Sequence, residues 1–280
     1  MSRAMQWMVG LTVLSFAVYA FFFSWQFAII LIGSLLFHEY GHVWAMQRCG
    51  IPTKGIYLIP FVGGVAVGSN EMPSRKADVF ISLMGPIFGL ALAIVTAIAY
   101  ALTGWMLLAA ATLFMVMVNL FNMVPIYPLD GGRVLKCVAY SVPRPVGIVL
   151  FGLSLLMAFE MFLLTWSFVL LLVIFFAWQG LFEYLERPQR QRLRARLENN
   201  LSLMGEGELP EIHIPSTEEV RAHLQKVLAT LREPPPLSSM GIVGAAICWS
   251  GVVAIYGQLF LYIGSVPGVL ESLAGLLGRS

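Results

Sequence analysis

The sequence predicts an all-α polytopic membrane protein: about seven transmembrane helices with one short re-entrant, β-hairpin-like segment. Composition is the first reason, since 59% of the 280 residues are hydrophobic and only 11% are charged, against about 25% charged in an average soluble domain. Several apolar stretches also reach the ~20 residues needed to cross a bilayer. Finally, the basic residues alternate with the apolar runs in a way that fixes an orientation.

Apolar runs between helix breakers place the spans near 5–23, 26–48, 77–102, 105–124, 146–164, 167–186 and 241–263. The first lacks a small-residue cleavage site and is longer than a signal-peptide core, so it is expected to be retained. Arg3 precedes span one; Arg48, Lys54, Arg75 and Lys76 lie between spans two and three. Arg133, Lys136 and Arg144 lie between four and five, eight more from Arg187 to Arg232 lie between six and seven, and only Arg279 falls on the other side. By the positive-inside rule the N-terminus is cytoplasmic and the C-terminus outside.

Two segments are not simple spans. Residues 56–68 (IYLIPFVGGVAVG) are apolar but too short to cross, and Pro60 with Gly63-Gly64 breaks any helix. β-Branched and aromatic residues around a Gly-Gly turn read as a hairpin or re-entrant loop. Such backbone is tolerated at membrane depth only where protein or a water cavity satisfies it. Residues 187–240 form a cytoplasmic linker. Its basic run, RPQRQRLRAR, suits anionic headgroups. Ser216 to Glu219 read as a capping box for a short amphipathic helix, which Pro234-Pro235-Pro236 ends. A solvated linker is the plain reading there and a contact for a regulatory partner the sharper one. Cys49, Cys137 and Cys248 form no CxxC pair, so neither a disulfide framework nor a thiolate metal site is expected. Glu160, in span five, reads as an interhelical or snorkelling acid.

Span two runs FAIILIGSLLF into His38-Glu39-Tyr40-Gly41-His42. Residues i and i+4 share a helix face, so both imidazoles can point at one metal ion. Glu39 lies about 100° around the turn, where it can reach the attacking water rather than the metal. With four histidines in the chain, a chance HExxH is a weak rival. Ionisable groups in hydrocarbon need a compensating partner, and a single Zn2+ is the obvious one. Catalytic zinc takes three protein ligands and leaves one position open. His213 and His223 lie in the linker, far from span two. Asp130 follows Pro125 and Pro128, which end span four, and precedes Gly131-Gly132, which permit a tight turn. It is therefore expected to bring its carboxylate from a non-helical segment on the same side as His42.

HEYGH on a membrane helix, followed about 90 residues later by NMVPIYPLDGG, resembles the site-2 protease family of intramembrane zinc metalloproteases. Phe61-Val62-Gly63-Gly64 resembles the family's re-entrant glycine segment, and Ser82-Leu83-Met84-Gly85-Pro86 its GP helix. Many members carry Asn three residues after that GP pair, where this chain has Gly89, so no role is assigned there. The resemblance covers residues 27 to 140. It implies zinc held by His38, His42 and Asp130. Glu39 would accept a proton from the water attacking a peptide carbonyl and return it to the leaving amine. Asn122 would position substrate or stabilise the oxyanion, with Asn119 sharing or supporting that role, and Gly63 and Gly64 would lie beside the substrate. The expected partners are a single-span membrane-protein substrate, which must unwind to expose its amides, and the lipid bilayer. Nothing points to nucleic acid.

The corresponding organisation is a membrane-embedded metalloprotease domain over 1–186 with its core at 26–140, the linker at 187–240, and a C-terminal span with a short tail at 241–280. The expected location is a bacterial or archaeal plasma membrane with the active site facing the cytoplasm. A membrane metal transporter and a non-catalytic zinc-binding receptor remain as alternatives. A transporter would need ligands along a path open to both faces; a structural site would need a fourth protein ligand.

Overall fold

A computed structural model describes residues 3–61, 63–68, 72–205 and 217–278. Val62, His213, Ser216 of the expected capping box and Arg279 lie outside the described residues. The elements in order are α1 (Arg3–Phe22), α2 (Trp25–Arg48), β1 (Thr53–Ile59), β2 (Gly63–Gly68), α3 (Arg75–Thr103), α4 (Met106–Asn122), α5 (Asp130–Ala139), α6 (Arg144–Thr165), α7 (Phe168–Gly205), α8 (Thr217–Thr230), α9 (Ser239–Gly264) and α10 (Val269–Leu276). The protein is thus mostly helical and polytopic, with one small antiparallel hairpin.

Among the described residues, six helices are long and apolar enough to cross a membrane: α1, α2, α3, α6, α7 and α9. The remaining expected span, α4, is apolar but has only 17 residues, about 25 Å at 1.5 Å per residue. It is among the best-enclosed helices: Ala109, Ala110, Leu113, Val116 and Asn119 are almost wholly buried. A short helix walled in by α3, α9 and α10 need not match the bilayer by itself. Trp25, Trp105 and Trp166 all lie exposed at the three uncharged turns, where interfacial aromatics belong.

α2 and α3 make the most extensive helix contact, and glycine allows it. A methyl group at Gly41 would lie 2.4 Å from the Met84 carbonyl oxygen, so only a small residue lets the backbones meet. Ser24 caps α2 by accepting from the Phe27 N–H at 3.0 Å, and its hydroxyl donates to the Leu276 carbonyl at 2.7 Å. That second bond anchors α10, a tail helix that buries Val269, Leu273 and Leu276 in the cluster formed by α1, α2 and α4.

The hairpin is the expected non-helical segment. β1 and β2 pair antiparallel, with Ile56 opposite Ala66 and Leu58 opposite Gly64. α1 holds it: the Ser15 hydroxyl donates to the Leu58 carbonyl at 3.3 Å, and the Phe61 N–H donates to the Tyr19 hydroxyl at 2.8 Å. Phe61 itself sits at φ 61, in the left-handed region, inside the turn.

Two expectations are corrected. Asp130 does not come from irregular backbone but opens helix α5, where a carboxylate is favoured by the free N–H groups and the helix dipole. Gly131 and Gly132 are helical rather than a turn. Their role is close approach, since methyl groups there would lie 2.1 Å from the Met123 carbonyl oxygen and the Ile126 carbonyl carbon. Likewise, the basic run 187–196 is not open linker: α7 continues unbroken to Gly205 through Pro188. α9, expected as a span beyond the 26–140 core, packs on α3, α4 and α5. Its Trp249 indole N–H donates to the Met123 carbonyl at 2.9 Å, and the Tyr256 hydroxyl donates to the Pro86 carbonyl at 2.7 Å.

Candidate metal centre

His38 and His42 stand one turn apart on the buried face of α2, and Asp130 reaches them from the first turn of α5. All three are buried, with one ligand atom from each lying within 4.8 Å of the others. His38 Nε2 is 3.1 Å from Asp130 Oδ2, His42 Nε2 is 3.3 Å from Asp130 Oδ1, and the two Nε2 atoms are 3.1 Å apart. This is the one group among the described residues whose donors converge in a way that could hold a metal ion.

The other ring nitrogens decide what the three atoms can do. His38 Nδ1 is 2.8 Å from Asn119 Oδ1, and His42 Nδ1 is 2.8 Å from the Ile81 carbonyl oxygen. Asn119 is fixed in that sense because its amide nitrogen donates to the Met115 carbonyl at 2.8 Å. Both Nδ1 atoms face acceptors, so each carries the proton, and each Nε2 presents a lone pair. Two such nitrogens and a carboxylate crowd together, and a cation at their centre would take all three as ligands. Tetrahedral ligands about 2.0–2.1 Å from zinc lie about 3.4 Å from one another, close to the separations seen. The pairing of each ring N–H with a carbonyl-type oxygen is also what metal-binding imidazoles generally show. The residues therefore fit one zinc ion, held by His38, His42 and Asp130.

Three glycines make room for this packing. A methyl at Gly85 would lie 2.3 Å from His42 Nε2 and 2.8 Å from His38 Nε2, and one at Gly89 would lie 2.3 Å from Asn119 Oδ1. Gly85 and Gly89 are one helical turn apart on α3, so that face of the helix is hollowed to seat both imidazoles and the amide. Gly89, left without a role by the sequence, is required by Asn119. At Gly64, a methyl would lie 2.5 Å from Glu39 Cγ.

Glu39 is buried beneath β2, and its Oε2 accepts from the Ala66 N–H at 3.0 Å. That N–H points away from β1, so the outer edge of β2 is the edge that faces the carboxylate. Gly64 thus lies directly against Glu39, while Gly63 sits at the turn with φ 114 and open space around it. Asn122, the last residue of α4, is half-buried and has no hydrogen bond to the group. The amide that meets it is Asn119, three residues earlier.

Arg133, one turn into α5, lies 4.0 Å from Asp130 Oδ1 and 2.7 Å from Asp78 Oδ1 of α3. The Cys137 thiol is 3.4 Å from Asp78 Oδ2. Burial, with Asp78 beside it, pushes that thiol well above its ordinary range, and it is not among the converging donors.

Comparison with known proteins points the same way. Residues 26–106 match Peptidase family M50. Zinc metalloprotease MJ0392 of Methanocaldococcus jannaschii is 30% identical over 162 residues, which is 54% of this chain and 47% of that protein. The Rip3 protein of Mycobacterium tuberculosis, named as a zinc metalloprotease, is 35% identical over 121 residues, or 39% of this chain and 30% of its own. The sll0528 protein of Synechocystis, named likewise, is 32% identical over 120 residues, or 41% and 31%. The chain therefore spans less than half the length of these curated relatives.

Proposed function

We propose that this chain, whose residues 26–106 match Peptidase family M50, is an intramembrane zinc metalloendopeptidase. It would cleave a peptide bond within or beside the transmembrane segment of a membrane protein. The observation that carries the reading is the convergence of three buried ligand atoms directly below a hairpin edge that also holds a buried carboxylate.

When bound, zinc supplies a Lewis acid that polarises the scissile carbonyl and acidifies water. The protein's own residues do the rest. His38, His42 and Asp130 bind the ion. Asn119 and the Ile81 carbonyl hold the two rings in the tautomer that binding needs. Glu39 accepts the proton of the attacking water and returns it to the leaving amine. The residual hydrogen bond from Ala66 orients Glu39 without neutralising it.

A substrate helix must unwind before its amides can be attacked. The outer edge of β2 supports the idea that the unwound segment pairs there as a third strand, beside Gly63 and Gly64. Asn122, half-buried at the end of α4, remains a candidate for contacting substrate. The basic ends of α2, α3, α6 and α7 support an orientation with the centre toward the cytoplasm, and the relatives named above come from bacteria and an archaeon. A single group of converging ligands among the described residues argues against a transporter.

The test is cleavage of a purified single-span protein carrying helix-breaking residues in its span, with the cut mapped by mass spectrometry. The reading predicts a cut inside or next to the span that a zinc chelator abolishes. Cleavage that resists the chelator, or falls only in distant soluble loops, would overturn it.

A further inference from the structure

The first residue of α3, Arg75, is an anomaly. It is 6% exposed, yet its guanidinium makes no hydrogen bond among the described residues, and its Nε is buried without a partner. A guanidinium offers five N–H donors, and burying a charge without hydrogen bonds is costly. Two further cations share its aromatic neighbour. Arg75 stacks on Tyr140 at 4.4 Å, Arg187 stacks on the same ring at 5.0 Å, and Lys136 lies 5.7 Å from it. Glu183 is taken by Lys136 at 2.9 Å. Among the described residues, Glu233 is the one carboxylate paired with both arginines: its Oε2 is 2.9 Å from Arg187 Nε but 3.8 Å from Arg75 Nη2, and Arg187 also donates to the Tyr140 carbonyl at 3.2 Å.

Glu233 does not belong to the helices it joins. It lies in the connector between α8 and α9, just before Pro234-Pro235-Pro236, and the next tie of that connector is the Leu237 N–H to the Ser141 hydroxyl at 2.9 Å. Its side chain is 28% exposed, so the pocket opens to solvent on that side. In this arrangement the Glu233 carboxylate bonds Arg187 and stops short of Arg75. A phosphate group sets its acceptor oxygens on a tetrahedron wider than a carboxylate, and so can reach both, which is the geometry arginine pairs favour. Arg75 opens α3 and Arg187 follows the apolar stretch of α7, so the pocket stands where these helices leave the hydrocarbon.

We infer that Arg75 and Arg187 form a phosphate-binding site in which the Glu233 carboxylate is an intramolecular stand-in, so that a phosphate group displaces Glu233 and frees the 231–236 connector. The site owes nothing to the metal centre and is independent of the proteolytic reading. Phosphate could arrive on a lipid headgroup or free in solution.

The experiment uses the full chain. In detergent, inorganic phosphate is titrated against chloride at constant ionic strength. In parallel, the protein is placed in nanodiscs of phosphatidylcholine with and without phosphatidylglycerol. The readouts are the unfolding midpoint and hydrogen exchange of residues 231–233. The midpoint should rise while exchange at 231–233 increases. Glu233→Gln should enlarge the midpoint shift at a given phosphate level, because it removes the competitor. Arg75→Gln and Arg187→Gln should abolish the response, and Arg187→Gln carries the test if Arg75→Gln does not fold. A response to phosphatidylglycerol alone identifies the headgroup as the ligand; a response to both identifies phosphate as such. Metal-stripped protein must respond equally, since a response lost with the metal would place the phosphate at the metal centre. The inference fails if both arginine variants respond like wild type, if Glu233→Gln gives an equal or smaller shift, or if neither phosphate source has any effect.

Discussion

Replacing Gly85 by alanine adds a single methyl group at the tightest point of the metal centre. That methyl would lie 2.3 Å from His42 Nε2, 2.4 Å from His42 Cε1 and 2.8 Å from His38 Nε2. Ordinary contact begins near 3.4 Å, so the His42 ring must withdraw by about 1.1 Å. Metal–ligand distances tolerate about ±0.2 Å, so a shift five times larger removes His42 as a ligand or forces α3 away from α2. Neither is easily absorbed. The rings are tied through Nδ1 to Asn119 and to the Ile81 carbonyl, and α3 is held against α2 at Gly41. Overpacking a buried site costs about 1–3 kcal/mol, and loss of a partner that merely orients a ligand already costs about 10–100-fold in metal affinity. Loss of a ligand should exceed that, so zinc binding should weaken at least about 100-fold. The assay is competition against a chromogenic chelator, with bound zinc counted by mass spectrometry and folding followed by circular dichroism. A Gly85→Ala protein that binds zinc as tightly as wild type would show that His42 does not meet the ion where the structure places it.

Other outcomes follow from the same geometry. Asn119→Ala removes the acceptor for His38 Nδ1 and should weaken zinc about 10–100-fold without unfolding the bundle; the same competition assay reads it, and unchanged affinity would remove Asn119 from the centre. Ala66→Pro deletes the N–H that Glu39 accepts and blocks strand pairing on the outer edge of β2, so cleavage should fall while zinc content holds. Cleavage at the wild-type rate would end the edge-strand account. Trp249→Phe leaves the Met123 carbonyl without its indole donor and should cost about 1–3 kcal/mol, seen as a lower unfolding midpoint. An unchanged midpoint would mean that α9 is not what holds the end of α4.

Much of this was legible in the residues, because the signals were local. Apolar length alone marks the membrane helices, and i, i+4 spacing alone brings His38 and His42 to one face. The hairpin announced itself through Pro60, the β-branched run and Gly63-Gly64. What escaped depended on contacts between distant segments. Asn119 and Asn122 differ by only about 60° around α4, and which one meets His38 is set by how α4 packs on α2. The helical start at Asp130 was hidden because Gly131-Gly132 reads as a turn. Only the close passage of the Met123 and Ile126 backbone explains two glycines inside a helix. The basic run after Arg187 was read as linker from its charge, although Gln, Arg, Leu and Glu are good helix formers and simply prolong α7. α10 was missed because its short apolar face has meaning only beside α4 and the Ser24 hydroxyl.

The account stands most directly on Glu39 as the proton carrier beside a zinc held by other residues. The decisive measurement is therefore made on Glu39→Gln protein, with bound zinc and substrate cleavage recorded on the same preparation. The account predicts about one zinc per chain, as in wild type, and no detectable cleavage. Cleavage that survives the substitution would contradict it, as would an activity loss fully explained by loss of the metal.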